Sequence, residues 1–259
     1  MSDLILVKRD GPIATVVINN PDKRNALSKA AWMRLGDVFD GLSAEDDLRC
    51  IVVRGAGTEA FAAGADISEF PTERANADHA RAYGDAVSHA IDALTACRHP
   101  TIAMILGACT GGGLEIACTC DLRISGQSGR FGVPINRIGH PMAYPELKAV
   151  QDVVGRAVVL ELLLEGGIVD AAGAERRGLL TRVVADDGVE EETYATAQRI
   201  ARGAPLAARA NKRFARRLDD PQPLTPEELD EAFQLCDSED YQQGFRAFLA
   251  KKKPEFKGR

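Results

Sequence analysis

The sequence predicts an α/β fold with a helical C-terminal region. Two observations carry that expectation. Strand-like and helix-like segments alternate through the first half of the chain, and the strands are short. The second half reads mostly as helix. A third observation sets the class: 259 residues, 45% hydrophobic and 27% charged, form an ordinary globular composition rather than a disordered one. A chain this long buries roughly three quarters of its unfolded surface, so it needs no disulfide or metal staples.

The elements follow in order. Leu4 to Val7 and Ile13 to Ile18 read as a hairpin turned by Asp10-Gly11. Asn19-Asn20-Pro21-Asp22 stops it. Ser28 reads as an N-cap, and Trp32, Leu35, Val38, Phe39 and Leu42 recur at helical spacing behind it. Cys50 to Val53 is a third strand, ended by Gly55-Ala56-Gly57. His79 to Cys97 predicts a long helix with Tyr83, Val87, Ile91 and Leu94 on one face. Thr101 to Leu106 is a short strand, Gly111-Gly112-Gly113 breaks it, Leu114 to Cys118 opens a helix, and Leu122 to Ser125 is strand-like again. Val153 to Leu164 is apolar-rich, Ala171 to Gly178 is a short helix ended by glycine, and Val189 to Gly203 is another helix. Thr225-Pro226-Glu227-Glu228 is a capping box with proline at the first helical position. The last helix is Tyr241 to Lys251. The five cations between Arg209 and Arg217 read as a solvated helix face, and the basic tail from Lys251 to Lys257 as a solvated end.

Charge and cysteine usage exclude several classes. The net charge is −6, from 32 basic and 38 acidic residues, which argues against a generally basic nucleic-acid binder. No apolar run reaches the roughly 18 residues of a membrane span. Met1 to Asp10 lacks the pattern of a signal peptide, so a cytoplasmic location is expected. None of the six cysteines forms a Cys-x-x-Cys pair, and the four histidines include no His-Glu-x-x-His run, so no metal site is expected and the thiols fit a reducing compartment.

Two glycine-containing turns could carry chemistry. One is Phe61-Ala62-Ala63-Gly64-Ala65-Asp66-Ile67, just after a strand. The other runs from Gly107 through Gly111-Gly112-Gly113 to Glu115, from a strand into a helix. Small residues let a ligand reach the main chain, and a helix start offers unpaired N–H groups and a partial positive charge. Such turns suit an oxyanion or a phosphate, although tight helix-on-strand packing explains either alone. Neither turn has a P-loop lysine or the Gly-x-Gly-x-x-Gly spacing, which argues against nucleotide binding.

Together these turns and their surroundings resemble the enoyl-CoA hydratase/isomerase, or crotonase, superfamily. The resemblance runs from Asn19–Leu27 through Phe61–Ile67, Gly111–Glu115, Asp121–Ile124 and Phe131–Pro134 to Phe248–Phe256. It implies a crotonase-like spiral of strand-strand-helix repeats over residues 1–200, and a C-terminal helical region, 201–259, that builds trimers or dimers of trimers. It implies an acyl-CoA thioester as substrate, with coenzyme A as part of that substrate and no tightly bound cofactor. The N–H groups of Ala65 and Gly112 would form an oxyanion hole, and Glu115 would be the acid/base. CoA would lie near Arg24, Ala26, Ala63, Gly64, Asp66 and Ile67, with Pro134, Ile135 and His140 around the acyl group.

The sequence departs from the family pattern at Leu106, where asparagine is common, along Gly139–Glu146, where a Gly-Gly-x-Gln-type turn is common, and after Pro134. The second glutamate of the hydratases would follow Pro134, where this chain has Ile135. Isoleucine cannot exchange protons, so standard hydration is in doubt. His140, Tyr144, Glu146, Asp85 and His89 are the candidates to replace it. Hydration, isomerisation, decarboxylation and C–C cleavage all stay open. The alternative is a non-catalytic acyl-CoA-binding member.

Overall fold

A computed structural model describes residues 3–259. The chain begins with a hairpin, β1 (Ile5–Asp10) and β2 (Ile13–Ile18), and then α1 (Lys29–Ala44). Three strand-strand-helix units follow. The first is β3 (Cys50–Gly55), β4 (Ala60–Ala62) and the helices α2 (Phe70–Glu73) and α3 (Ala77–Ala96). The second is β5 (Thr101–Ile105), β6 (Ala108–Thr110) and α4 (Gly112–Thr119). The third is β7 (Leu122–Gly126), β8 (Arg130–Gly132) and α5 (Tyr144–Glu165). The rest is β9 (Val169–Asp170), α6 (Ala171–Arg176), β10 (Arg182–Val184), α7 (Val189–Ala201), α8 (Pro205–Arg217), α9 (Pro226–Gln234) and α10 (Glu239–Leu249).

Each unit sends its first strand to one sheet and its second to another. The larger sheet has the order β1-β2-β3-β5-β7-β10, and the smaller β4-β6-β8-β9. Among the described residues only the β1–β2 and β8–β9 pairs are antiparallel. Successive units therefore stack as turns of a spiral. The sequence reading missed β4, β6, β8, β9 and β10 because strands of two or three residues carry no measurable alternation.

The central strands are apolar on both faces, as parallel strands covered on both sides require. Ile51 and Val53 of β3 and Ala103 and Ile105 of β5 enter the main core, which also holds Trp32, Phe39, Leu94 and Leu114. Their neighbours Cys50, Val52, Ile102 and Met104 face the other way and pack under Val189, Ala197 and Ala201 of α7. Helix α3 starts at its Asn76 cap, whose side chain accepts the N–H groups of Asp78 and His79. Among the described residues no helix is long and apolar enough to cross a membrane.

Two expectations are corrected here. The cations of α8 are a fastening seam, not a solvated face. Lys212 Nζ lies 2.7 Å from Asp121 Oδ2 and donates to the His99 carbonyl at 2.6 Å. Arg216 reaches Asp121 Oδ1 at 3.2 Å, and Arg209 donates to the carbonyls of Asp46 and Leu48. Arg213 and Arg217 reach Glu231 and Glu228 of α9. Amphipathic spacing could not reveal these acceptors, because most are backbone carbonyls and acids distant in sequence. Nor is the basic tail a free end: buried Asp240 accepts the N–H groups of Lys257 at 2.6 Å and Gly258 at 2.9 Å, and Arg49 donates to the Phe256 carbonyl.

Asp121 also accepts from the Thr101 amide at 2.7 Å and its hydroxyl at 3.0 Å, so one carboxylate joins β5 to α8. The Lys212 side chain is only 8% exposed. Removing one member of a largely buried pair strands the other charge. Asp121→Ala should therefore destabilise the protein by about 3 kcal/mol in denaturant unfolding. An unchanged midpoint would reduce the seam to ornament.

Candidate active site

The site begins where the first turn of α4 meets the chain after β4. Gly113 is pressed against β4 so closely that a Cβ there would lie 2.1 Å from the Ala62 carbonyl oxygen. Gly64 has φ +98°, a conformation L side chains rarely adopt, and a Cβ on it would sit 3.0 Å from the Gly112 nitrogen. Leu27 takes both bonds available on its side of this strand: its N–H goes to Gly64 O, and its carbonyl accepts from Asp66 N, each at 2.8 Å. In a parallel bridge that arrangement turns the Ala65 amide away from Leu27. Gly112 is the first residue of α4, so its N–H has no intrahelical acceptor. Neither N–H is given to another backbone group among the described residues. Ala65 and Gly112 line one cavity of about 130 Å³.

Two carboxyls share that cavity. Glu115 comes from the same turn of α4 and is 6% exposed. Its Oε2 lies 3.6 Å from where a Cβ of Gly112 would be, so acid and donor sit together. Burial pushes the Glu115 carboxyl well above the usual range, the charge of Glu146 adds to this, and Arg74 opposes it. Glu146 comes from the first turn of α5. Burial raises its carboxyl too, against the Ala143 N–H, which it accepts at 3.3 Å, and Arg74. Of the two carboxyls, Glu146 is the one that accepts a backbone N–H, which favours its ionised form.

Arg74 and His140 complete the polar lining. Arg74 Nη1 is 2.8 Å from His140 Nε2. The guanidinium stacks 4.2 Å from the Tyr83 ring centre and 4.7 Å from that of Phe70. Burial, and then the Arg74 charge, hold His140 below the usual histidine range, so a neutral ring accepts from the arginine. Trp32, Val87, Pro134 and Ile135 supply apolar walls.

The structure thus brings Ala63, Gly64, Ala65, Ile67, Gly112, Glu115, Pro134, Ile135, His140 and Glu146 to one cavity. Others among the candidates stand elsewhere. Tyr144 is 89% exposed. Asp85 is exposed and does not line the cavity. His89 covers Gly36 of α1 and reaches Asp37 at 3.4 Å, because that glycine leaves room for its ring on the outer side of α3. Arg24 is exposed and also outside the cavity lining, tied to the site only through its carbonyl, which accepts the Ala63 N–H at 3.0 Å. Ala26 is buried beneath that turn, where its carbonyl accepts from Asn20. Burial works against the charge of Asp66, but Lys23 at 2.6 Å and the Ser68 hydroxyl and amide outweigh it and hold the carboxyl low. Asp66 is thus a partnered cap of the turn. The sequence reading missed Arg74 and Phe70, which stand in a segment without periodicity or motif. Among the described residues no cluster of three or more His, Cys, Asp or Glu could hold a metal ion.

Two N–H groups with no backbone acceptor among the described residues thus stand beside a buried carboxyl on a spiral of strand-strand-helix units. The chain belongs to the enoyl-CoA hydratase/isomerase family, whose model matches residues 8–259. It is 34% identical to a probable enoyl-CoA hydratase of Rhizobium meliloti, with 99% of each chain covered. It is 31% identical to the 2,3-dehydroadipyl-CoA hydratase of Escherichia coli over 100% of each. A crystal structure of an enoyl-CoA hydratase/carnithine racemase from Magnetospirillum magneticum superposes with a TM-score of 0.98 at 51% identity, covering 100% of this chain and 97% of that one.

The buried state of Glu115 has a measurable cost. Its carboxyl holds a proton to higher pH in the folded protein than in the unfolded chain. Its contribution is therefore most favourable below the unfolded value and is lost as pH rises through the raised folded value. Glu115→Gln, which carries no charge at any pH, should gain stability relative to the wild type as pH rises from about 4 to about 8. Parallel melting curves across that range check it. A constant difference would mean that Glu115 is not held protonated.

Proposed function

We propose that the protein adds water across the α,β-double bond of a short enoyl-CoA thioester. The observation that carries this reading is the sharing of one cavity by two carboxyls and two unpaired N–H groups. Glu146, whose ionised form the Ala143 N–H favours, takes a proton from water. The water oxygen bonds to Cβ, and the double-bond electrons pass through Cα to the thioester oxygen. The Ala65 and Gly112 N–H groups hold that oxygen as it becomes an enolate, each donor being worth about 2.7–4 kcal/mol in the barrier. Glu115 then delivers its proton to Cα as the carbonyl re-forms. Glu146 so supplies what the usual second position, here Ile135, cannot. The hydratase names of the relatives support the same reaction.

The turn that carries Ala63, Gly64 and Ile67 is the expected support for the CoA moiety, with Arg24 at its rim. The exposed Phe233 of α9 and Phe248 and Leu249 of α10 support a trimer built through the C-terminal helices. Ile135 favours a second reading, a thioester binder without turnover. Crotonyl-CoA separates the two: loss of the enoyl-thioester absorbance marks an enzyme, and a raised melting temperature without product marks a binder.

Two variants test the assignment. Glu146→Gln should lower kcat by about 10²-fold or more with little change in KM, as expected for a positioned acid/base. Full activity would remove Glu146 from the chemistry. Gly64→Ala crowds the Gly112 donor and should lower kcat by about 10²-fold, the usual effect of losing one oxyanion donor. Circular dichroism must show a native fold, and unchanged kinetics in a folded variant would take the Gly112 N–H out of the mechanism.

A further inference from the structure

Arg74 carries a charge that favours ionisation of both carboxyls but pairs directly with neither. It lines the cavity with Glu115, Glu146 and His140. Its hydrogen-bond partner is the neutral His140, and its Nε is buried with no partner. Glu115 and Glu146 feel its charge only from beyond ion-pair distance, since Arg74 forms no ion pair of 4.0 Å or less among the described residues. The rings of Tyr83 and Phe70 fix the guanidinium plane. A part-buried arginine cannot shed its proton, so its charge calls for an anion. The thioester group itself offers none.

We propose that Arg74, positioned by His140, receives a carboxylate at the far end of the acyl group, so that the preferred substrate is the CoA monothioester of a short dicarboxylic acid. The inference rests on the thioester reading of the site. The planar fork of the guanidinium suits a carboxylate, which accepts two N–H groups side by side. Size agrees with a short chain. A cavity of about 130 Å³ is comparable to one that takes benzene, so it holds roughly six to eight heavy atoms. Phe70, Ile135 and Ile138, which line the cavity, give the intervening carbons apolar contact. Arg74 is thus a specificity-determining residue, separate from the acid/base pair.

Saturated thioesters isolate recognition from chemistry. Glutaryl-CoA and valeryl-CoA have five acyl carbons each and differ in ending on a carboxylate or a methyl. Calorimetry on the wild type should show glutaryl-CoA binding at least about tenfold more tightly, the scale of a hydrogen bond to a charged group. Arg74→Met should erase that preference and leave valeryl-CoA affinity nearly unchanged. Arg74→Lys, which keeps the charge without the fork and disturbs packing less, should retain only part of the preference and serves if the methionine variant does not fold. Equal wild-type affinities would overturn the inference and leave the thioester reading standing. An equal loss of both ligands in Arg74→Met would also overturn it, by showing that the arginine reads a phosphate of CoA. Binding of neither thioester by the wild type would instead sink the thioester reading, and the inference with it.

Discussion

The functional site depends on how closely the first turn of α4 can approach the chain after β4. The Ala62 carbonyl leaves no room for a side chain at Gly113, and the Gly112 nitrogen leaves little at Gly64. Ordinary residues there would push α4 outward. The Ala65 and Gly112 amides would then move apart, and Glu115 would move with the helix that carries it. The arrangement of this lining is thus held by backbone packing. The spiral supplies the rest: stacked units place the ends of β4 and β6 side by side, so residues far apart in sequence share one rim.

The framework was legible in the sequence to a large extent. Apolar runs such as Cys50 to Val53 and caps such as Ser28 are local signals, and the structure keeps them. The two glycine-containing turns were legible as places where main chain could meet a ligand, and the structure brings both of them, with Glu115, to one cavity. Strands of two or three residues were not, since their pairing is set by neighbours in space.

The second carboxyl shows where sequence reading reaches its limit. Glu146 was one of five side chains that could face Glu115, and nothing in their spacing ranked them. The order came from the backbone between Pro134 and Tyr144. A short 3-10 turn ends at Gly139 in a left-handed conformation, and α5 then starts so that Glu146 is buried while Tyr144 faces solvent. Arg74 was less legible still. Its significance lies in what surrounds it, two rings and a neutral imidazole.

The bond from the Ala143 N–H to Glu146 ties the cavity to the backbone in one further respect. A carboxyl that lines the cavity also closes the first turn of α5. An ionised oxygen accepts the amide hydrogen more strongly than a protonated one. Protonation of Glu146 weakens that bond and ionisation strengthens it. The Ala143 amide is therefore a resident reporter. Its chemical shift and its exchange with solvent follow the protonation of that carboxyl without any label or ligand, and they distinguish a change there from a change elsewhere in the protein.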